Sequence, residues 1–186
     1  ATLWNNKEVL SLQPKDKASQ TLGFAVDVGT TKVAGYLVDL KNGELLAAVS
    51  LPNPQISFGE DLISRITYWT ESEEKGISLQ KIVIGCVNKL IEDSCKKFGV
   101  TKNEIYDITV VGNTAMHHIF FGISPKYVGQ SPFPVAVKNS FDVKAKDIGM
   151  IANPAAYVHA LPPIAGFVGA DTVAGILATE IYKQEK

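Results

Sequence analysis

Apolar and polar positions acquire a clear period only after about residue 20. Leu22-Gly23-Phe24-Ala25-Val26-Asp27 is a short apolar run that stops at Val28-Gly29-Thr30-Thr31, and residues 32–39 form a second run. Asn42-Gly43 supplies the turn pair that favours a tight hairpin, and residues 45–51 form a third strand, so an antiparallel three-strand meander is expected. Ser57 with Glu60 fits a capping box that opens a helix over 58–69, and residues 71–75 read as a solvated connection. A longer helix is expected over 78–98, where Leu79, Ile82, Val83, Cys86, Leu90 and Ile91 recur at helical spacing ahead of Gly99.

Residues 105–111 read as a buried strand, followed at Asn113 by a capped short helix reaching Phe121. Residues 123–156 carry Pro125, Pro132, Pro134 and Pro154 and are expected to be an insertion, with a strand at 135–138. A short strand at 157–161 and a final helix over 172–182 complete the order βββ-α-α-β-α-β-α. Residues 1–20 show little period and are expected to be a linker or the remnant of a preceding domain, leaving 21–186 as one unit. The chain begins at Ala1 rather than Met, and the expectation is a piece of a longer protein.

Composition narrows the function classes. The formal charge is −1 over 186 residues, so no general pull toward nucleic acid or an anionic membrane is expected. No apolar run approaches the roughly 20 residues of a membrane span, and no secretory leader is visible, so a cytoplasmic location is expected. Cys86 and Cys95 fit neither a CxxC metal site nor an iron–sulfur set, and read as buried or half-buried thiols.

Asp27-Val28-Gly29-Thr30-Thr31-Lys32 is the segment with chemistry to offer. A phosphate loop needs backbone N–H groups that approach an anion closely, which glycine permits, while neighbouring hydroxyls add neutral donors. A carboxylate at the strand end can hold magnesium through water, and Lys32 can offset phosphate charge. Neither a Walker-type loop nor a dinucleotide-binding glycine pattern is present. A plain polar hairpin is the alternative reading of the segment.

Four segments, in order, carry a resemblance. They are residues 24–31, Asn53-Pro54-Gln55 with residues 58–66, residues 111–117 and residues 166–172. Together they resemble the reductive activators of corrinoid-dependent methyltransferases, whose ATPase domain belongs to the acetate and sugar kinase/Hsp70/actin superfamily. The fold this implies is α/β and ribonuclease-H-like, an actin-like lobe whose mixed sheet carries helices on both faces. The resemblance implies ATP and Mg²⁺ as ligands, with ATP hydrolysis driving reduction of cob(II)alamin to cob(I)alamin. A corrinoid protein or corrinoid-dependent methyltransferase is the partner it implies. The [2Fe–2S] domain of the family needs four cysteines, and this chain has two. The second lobe, with its own Asp-Gly-Thr loop, is also not in the chain, so residues 21–186 are expected to be the first lobe only.

On this resemblance Asp27, Gly29, Thr30, Thr31, Lys32, Gly112 and Asn113 are the nucleotide-binding candidates, with Asp27 also on the metal. Asp171 is the catalytic candidate, orienting water, and helix capping is its alternative role. Asn113 has the same alternative, and Asp61 with Arg65 is expected to pair across one helical turn. His117 and His118 are expected to be satisfied structural or surface residues. Two rival functions remain: a lobe of a sugar or carboxylate kinase, and a non-catalytic module docking a corrinoid protein. A missing facing lobe also leads to an expectation of weak self-association through an apolar face.

Overall fold

The computed structural model describes residues 1–12 and 20–184. The first described segment is not featureless: β1 (Thr2–Trp4) and β2 (Glu8–Ser11) form an antiparallel hairpin. It is held to the rest of the molecule by Trp4 stacked on Tyr157 at 4.0 Å and by Glu8, which accepts from Lys144 Nζ at 2.7 Å and from the Tyr157 hydroxyl at 2.5 Å. Its short strands show almost no apolar alternation because the contacts that hold it are made by single aromatic and charged side chains. The remaining residues expected to be linker, 13–19, lie outside the described residues.

Apolar side chains at every second position build one face of the main sheet. In β3 (Leu22–Val28), Leu22, Phe24, Val26 and Val28 point into the core, while Asp27 stays exposed on the other face. β4 (Lys32–Asp39) and β5 (Leu45–Pro52) complete the expected meander, with Gly43 at φ 75° in the intervening turn. β6 (Ile105–Gly112) lies parallel to β3, β8 (Tyr157–Ala160) parallel to β6, and β7 (Phe141–Lys144) antiparallel to β8. The resulting order, β5-β4-β3-β6-β8-β7, is the mixed α/β sheet expected of the fold class.

The helices differ from expectation mainly at their starts. Residues 54–58 make a 3₁₀ turn, and α1 (Leu62–Glu71) begins only at an Asp61/Ser64 capping box. The Ser57/Glu60 box does not form because Gly59 sits against the backbone of α1: a Cβ there would stand 2.8 Å from Arg65 N. Asp61 is spent on that cap, so the expected Asp61–Arg65 ion pair is absent among the described residues. The expected connection at 71–75 instead holds the Ser72 N-cap of α2 (Glu73–Phe98), with Lys75 paired to Glu71 across the junction. Gly99, at φ 78°, ends α2 as expected.

α3 (Thr114–Phe120) follows the Asn113 cap, and α4 (Ala170–Thr179) starts two residues before its expected position. Residues 135–138 form no strand. The Ala136 N–H donates to His118 Nε2 at 3.2 Å and Val135 packs against the cluster of Ile66, Ala115 and Val128, so this stretch is committed to side-chain contacts. The strand of this region is β7, which gives the proline-rich stretch a place in the main sheet. Helices α1–α3 cover the core face, while α4 begins beside the carboxyl end of β6, close enough for Asp171 to influence Asp27 on the opposite face.

Candidate functional site

The loop joining β3 to β4 is pulled tight at Gly29, where a Cβ would stand 2.5 Å from the Lys32 carbonyl oxygen. Asn53, at the end of β5 and 1% exposed, clamps it. Its Nδ2 donates to Gly29 O and its backbone N–H donates to Thr31 O, each at 2.8 Å. The Asn53 Oδ1 accepts from Gln55 N at 3.0 Å, and Gln55 Nε2 donates to Leu79 O at 2.9 Å, tying the clamp to α2. A buried amide side chain has to use its donors and acceptors, and this one does so on the loop it holds.

The second half of the site is the joint between β6 and α3. Gly112 stands in parallel register with Val28, and a Cβ on it would fall 2.8 Å from Val28 O. Asn113 caps α3 by accepting from Met116 N at 3.0 Å, and its Nδ2 donates to Thr30 Oγ1 at 3.0 Å. One side chain thus caps the helix, the alternative role expected of it, and also orients a loop hydroxyl. α4 completes the arrangement: Thr114 Oγ1 donates to Ala165 O at 2.6 Å, and a Cβ on Gly169 would lie 2.6 Å from Gly112 O. Close backbone approach at Gly169 sets the start of α4 against the Gly112–Asn113 joint, with Asp171 near enough to act on the Asp27 charge.

Asp27, Gly29, Thr30, Thr31, Gly112 and Asn113 therefore meet at the carboxyl ends of β3 and β6, with Lys32 opening β4 on the face that carries Asp27. Partial burial raises the Asp27 carboxyl above its ordinary pKa, and the charge of Asp171 adds to the rise. A nearby cation would favour the charged form of Asp27 against both of these causes. Among the described residues no cluster of three or more His, Cys, Asp or Glu can hold a metal. Asp171 is exposed in the first turn of α4 and accepts from Thr172 N at 2.7 Å; it is not the cap, a position filled by Gly169.

Asn53, Met116 and Arg65 were not anticipated as part of the site. Asn53 stands where the chain leaves β5 in Asn-Pro-Gln, a turn signal that does not reveal its tertiary partner. Met116 Sδ lies 3.9 Å from Asn53 Nδ2 and 3.4 Å from Arg65 Nη1, behind the loop. Of the two neighbouring histidines, His118 is satisfied by Thr114 O at 2.7 Å and the Ala136 N–H, as expected. His117 corrects that expectation: it is 1% exposed, and neither ring nitrogen has a hydrogen-bond partner. Burial, and secondarily His118, lowers its pKa to about 4. Cys86 and Cys95 are buried free thiols, both raised by burial.

Residues 22–184 match the family model described as RACo middle region, and the chain belongs to that family. It is 36% identical over 172 residues to the corrinoid activation enzyme RamQ of Eubacterium limosum, covering 92% of this chain and 29% of RamQ. A solved structure of a reductive activator for corrinoid, iron-sulfur protein superposes with a TM-score of 0.88 at 38% identity, covering 91% of this chain and 27% of that one. The chain thus spans under a third of the length of either relative. Among the described residues no helix is long and apolar enough to cross a membrane.

Proposed function

We propose that this chain is the first lobe of an actin-like ATPase domain, of the acetate and sugar kinase/Hsp70/actin superfamily, within a reductive activator of a corrinoid protein. Gly29, Thr30, Thr31 and Lys32 hold the phosphates of ATP from one side and Gly112 with Asn113 from the other. Asp27 holds Mg²⁺ through water, and Asp171 orients the attacking water. In this reading the partner is a corrinoid protein or methyltransferase whose cob(II)alamin is reduced to cob(I)alamin, and the setting is cytoplasmic. The [2Fe–2S] centre and the facing lobe belong to other parts of such a protein.

The observation that carries the reading is the hydrogen bond from Asn113 Nδ2 to Thr30 Oγ1 at 3.0 Å, which joins the two glycine-containing turns at one end of the sheet. Family membership and the names of the two relatives support the corrinoid partner. Phosphoryl transfer relies on positioning and electrostatics in a site shielded from water, and one lobe leaves the loop open to solvent. The 186-residue chain alone is therefore expected to bind Mg²⁺-ATP weakly and to hydrolyse it negligibly. A ¹⁵N-labelled sample titrated with Mg²⁺-ADP should shift the amides of Gly29, Thr30, Thr31 and Asn113 first. Shifts confined to other parts of the molecule would refute the assignment of this loop.

A further inference from the structure

Arg65 is the one charged side chain in the core among the described residues, with 0% exposure. A guanidinium offers five donors and normally finds a carboxylate when buried. Here Nε donates to Gly59 O at 2.8 Å, Nη1 reaches only the Met116 thioether at 3.4 Å, and Nη2 has no partner. No carboxylate forms an ion pair with it among the described residues. Burial pulls its pKa below the usual guanidinium range and the Asp61 charge opposes that pull, yet arginine stays protonated at any physiological pH.

The position of this cation gives it meaning. Met116 Sδ also touches Asn53 Nδ2, and that same nitrogen donates to Gly29 O. The guanidinium is thus two side chains behind the loop, separated from it by packed protein rather than water. Interactions across such a medium are screened far less than those of surface charges such as Lys32. A buried charge without a counter-charge is costly to keep, and an anion at the loop is the partner that offsets it.

We propose that Arg65 is a positioning residue for the candidate phosphate loop, steadying the Met116–Asn53 clamp and supplying a buried positive charge that favours a polyphosphate bound at Gly29–Thr31. The inference deepens the nucleotide reading of that loop and rests on it. It assigns the loop a preference for anionic ligands that survives high salt. The exposed Lys32, by contrast, contributes only while salt is low.

The test uses the 186-residue chain and inorganic tripolyphosphate with Mg²⁺, followed by the amide shifts of Gly29, Thr30, Thr31 and Asn113, alongside thermal melts. Arg65→Met keeps the length and removes the charge. It should melt at or above the wild-type temperature, because an unpaired buried charge is gone, yet bind tripolyphosphate about tenfold more weakly at both low and high salt. Arg65→Lys should recover affinity to within about threefold of wild type, since it restores the charge without the fork. Lys32→Ala should lose affinity at low salt only. Arg65→Met binding like wild type, or Arg65→Lys binding as poorly as Arg65→Met, overturns the proposal while leaving the nucleotide reading intact. If Arg65→Met does not fold, Arg65→Gln takes its place with the same expectations for binding. Wild-type protein whose loop amides do not move with tripolyphosphate overturns both readings together.

Discussion

At Asp27 the charge to which we assign a role in binding works against folding. Its carboxyl is raised by partial burial and by Asp171, so the folded chain holds that proton more tightly than the unfolded one. The associated stability is complete below the unfolded carboxylate value of about 4 and is lost as pH rises through the folded value. Asp27→Asn is therefore expected to melt slightly higher than wild type at neutral pH, and to match it in acid, while losing the Mg²⁺-dependent part of polyphosphate binding. A lower melting temperature at neutral pH would show that the carboxylate contributes to the fold instead. The place of Asp27 near the end of a strand, ahead of the Gly-Thr-Thr bend, was legible from the sequence because a lone carboxylate in an apolar run before that bend is a local pattern. Arg65 was not: an arginine four residues after an aspartate on a helix predicts a surface pair, and only the diversion of Asp61 to the cap of α1 leaves Arg65 to the core.

α3 shows how one short helix serves two ends of the molecule. Its N-cap, Asn113, both satisfies Met116 N and holds Thr30, so Asn113→Ala should cost about 1 kcal/mol in denaturant melts from the lost cap alone. The same variant should broaden the Thr30 and Thr31 amide resonances, a readout that capping elsewhere would not move. Along the helix, His117 is packed among His118, Phe121 and Phe141 with both nitrogens unpartnered. With an unfolded pKa of 6.5 and a folded value of about 4, its neutral form adds stability that is whole above 6.5 and is lost as pH falls toward about 4. That loss is on the order of 3 kcal/mol. His118, lowered in the same direction, adds to it. His117→Leu should flatten the acid limb of a stability–pH curve and cost nothing at neutral pH. A curve as steep as wild type would assign the acid limb to other groups. The period of α2 made its core stripe readable from residues alone, whereas the starts of α1 and α2 were not. Several Ser, Asp and Glu residues competed for each cap, and the backbone packing at Gly59 chose between them.

Seen whole, the sheet has one closed face and one with Asp27 and Tyr36 exposed, bordered by α4, on which Ile176 and Leu177 are 36% and 55% exposed. Phe167, 70% exposed, stands in contact with Phe133 just ahead of that helix. An apolar surface of this kind favours association, so weak self-association is expected as concentration rises in sedimentation velocity runs. Sedimentation as a strict monomer at millimolar concentration would contradict it.

The three-strand meander, the buried strand that follows the long helix, that amphipathic helix itself and the loop around Asp27 were all written in local patterns: alternation at every second position, helical spacing, an Asn-Gly turn and a Gly-Thr-Thr bend. Such signals survive in the chain because a buried face and a tight turn each restrict residue type one position at a time. The docking of the hairpin on Tyr157, the clamp of Asn53 on Gly29 and Thr31, the burial of Arg65 and the approach of Asp171 to Asp27 arose only in three dimensions. Each depends on which of several equivalent hydrogen-bonding or charged groups is nearest once the layers pack, and separation along the chain carries no record of that distance.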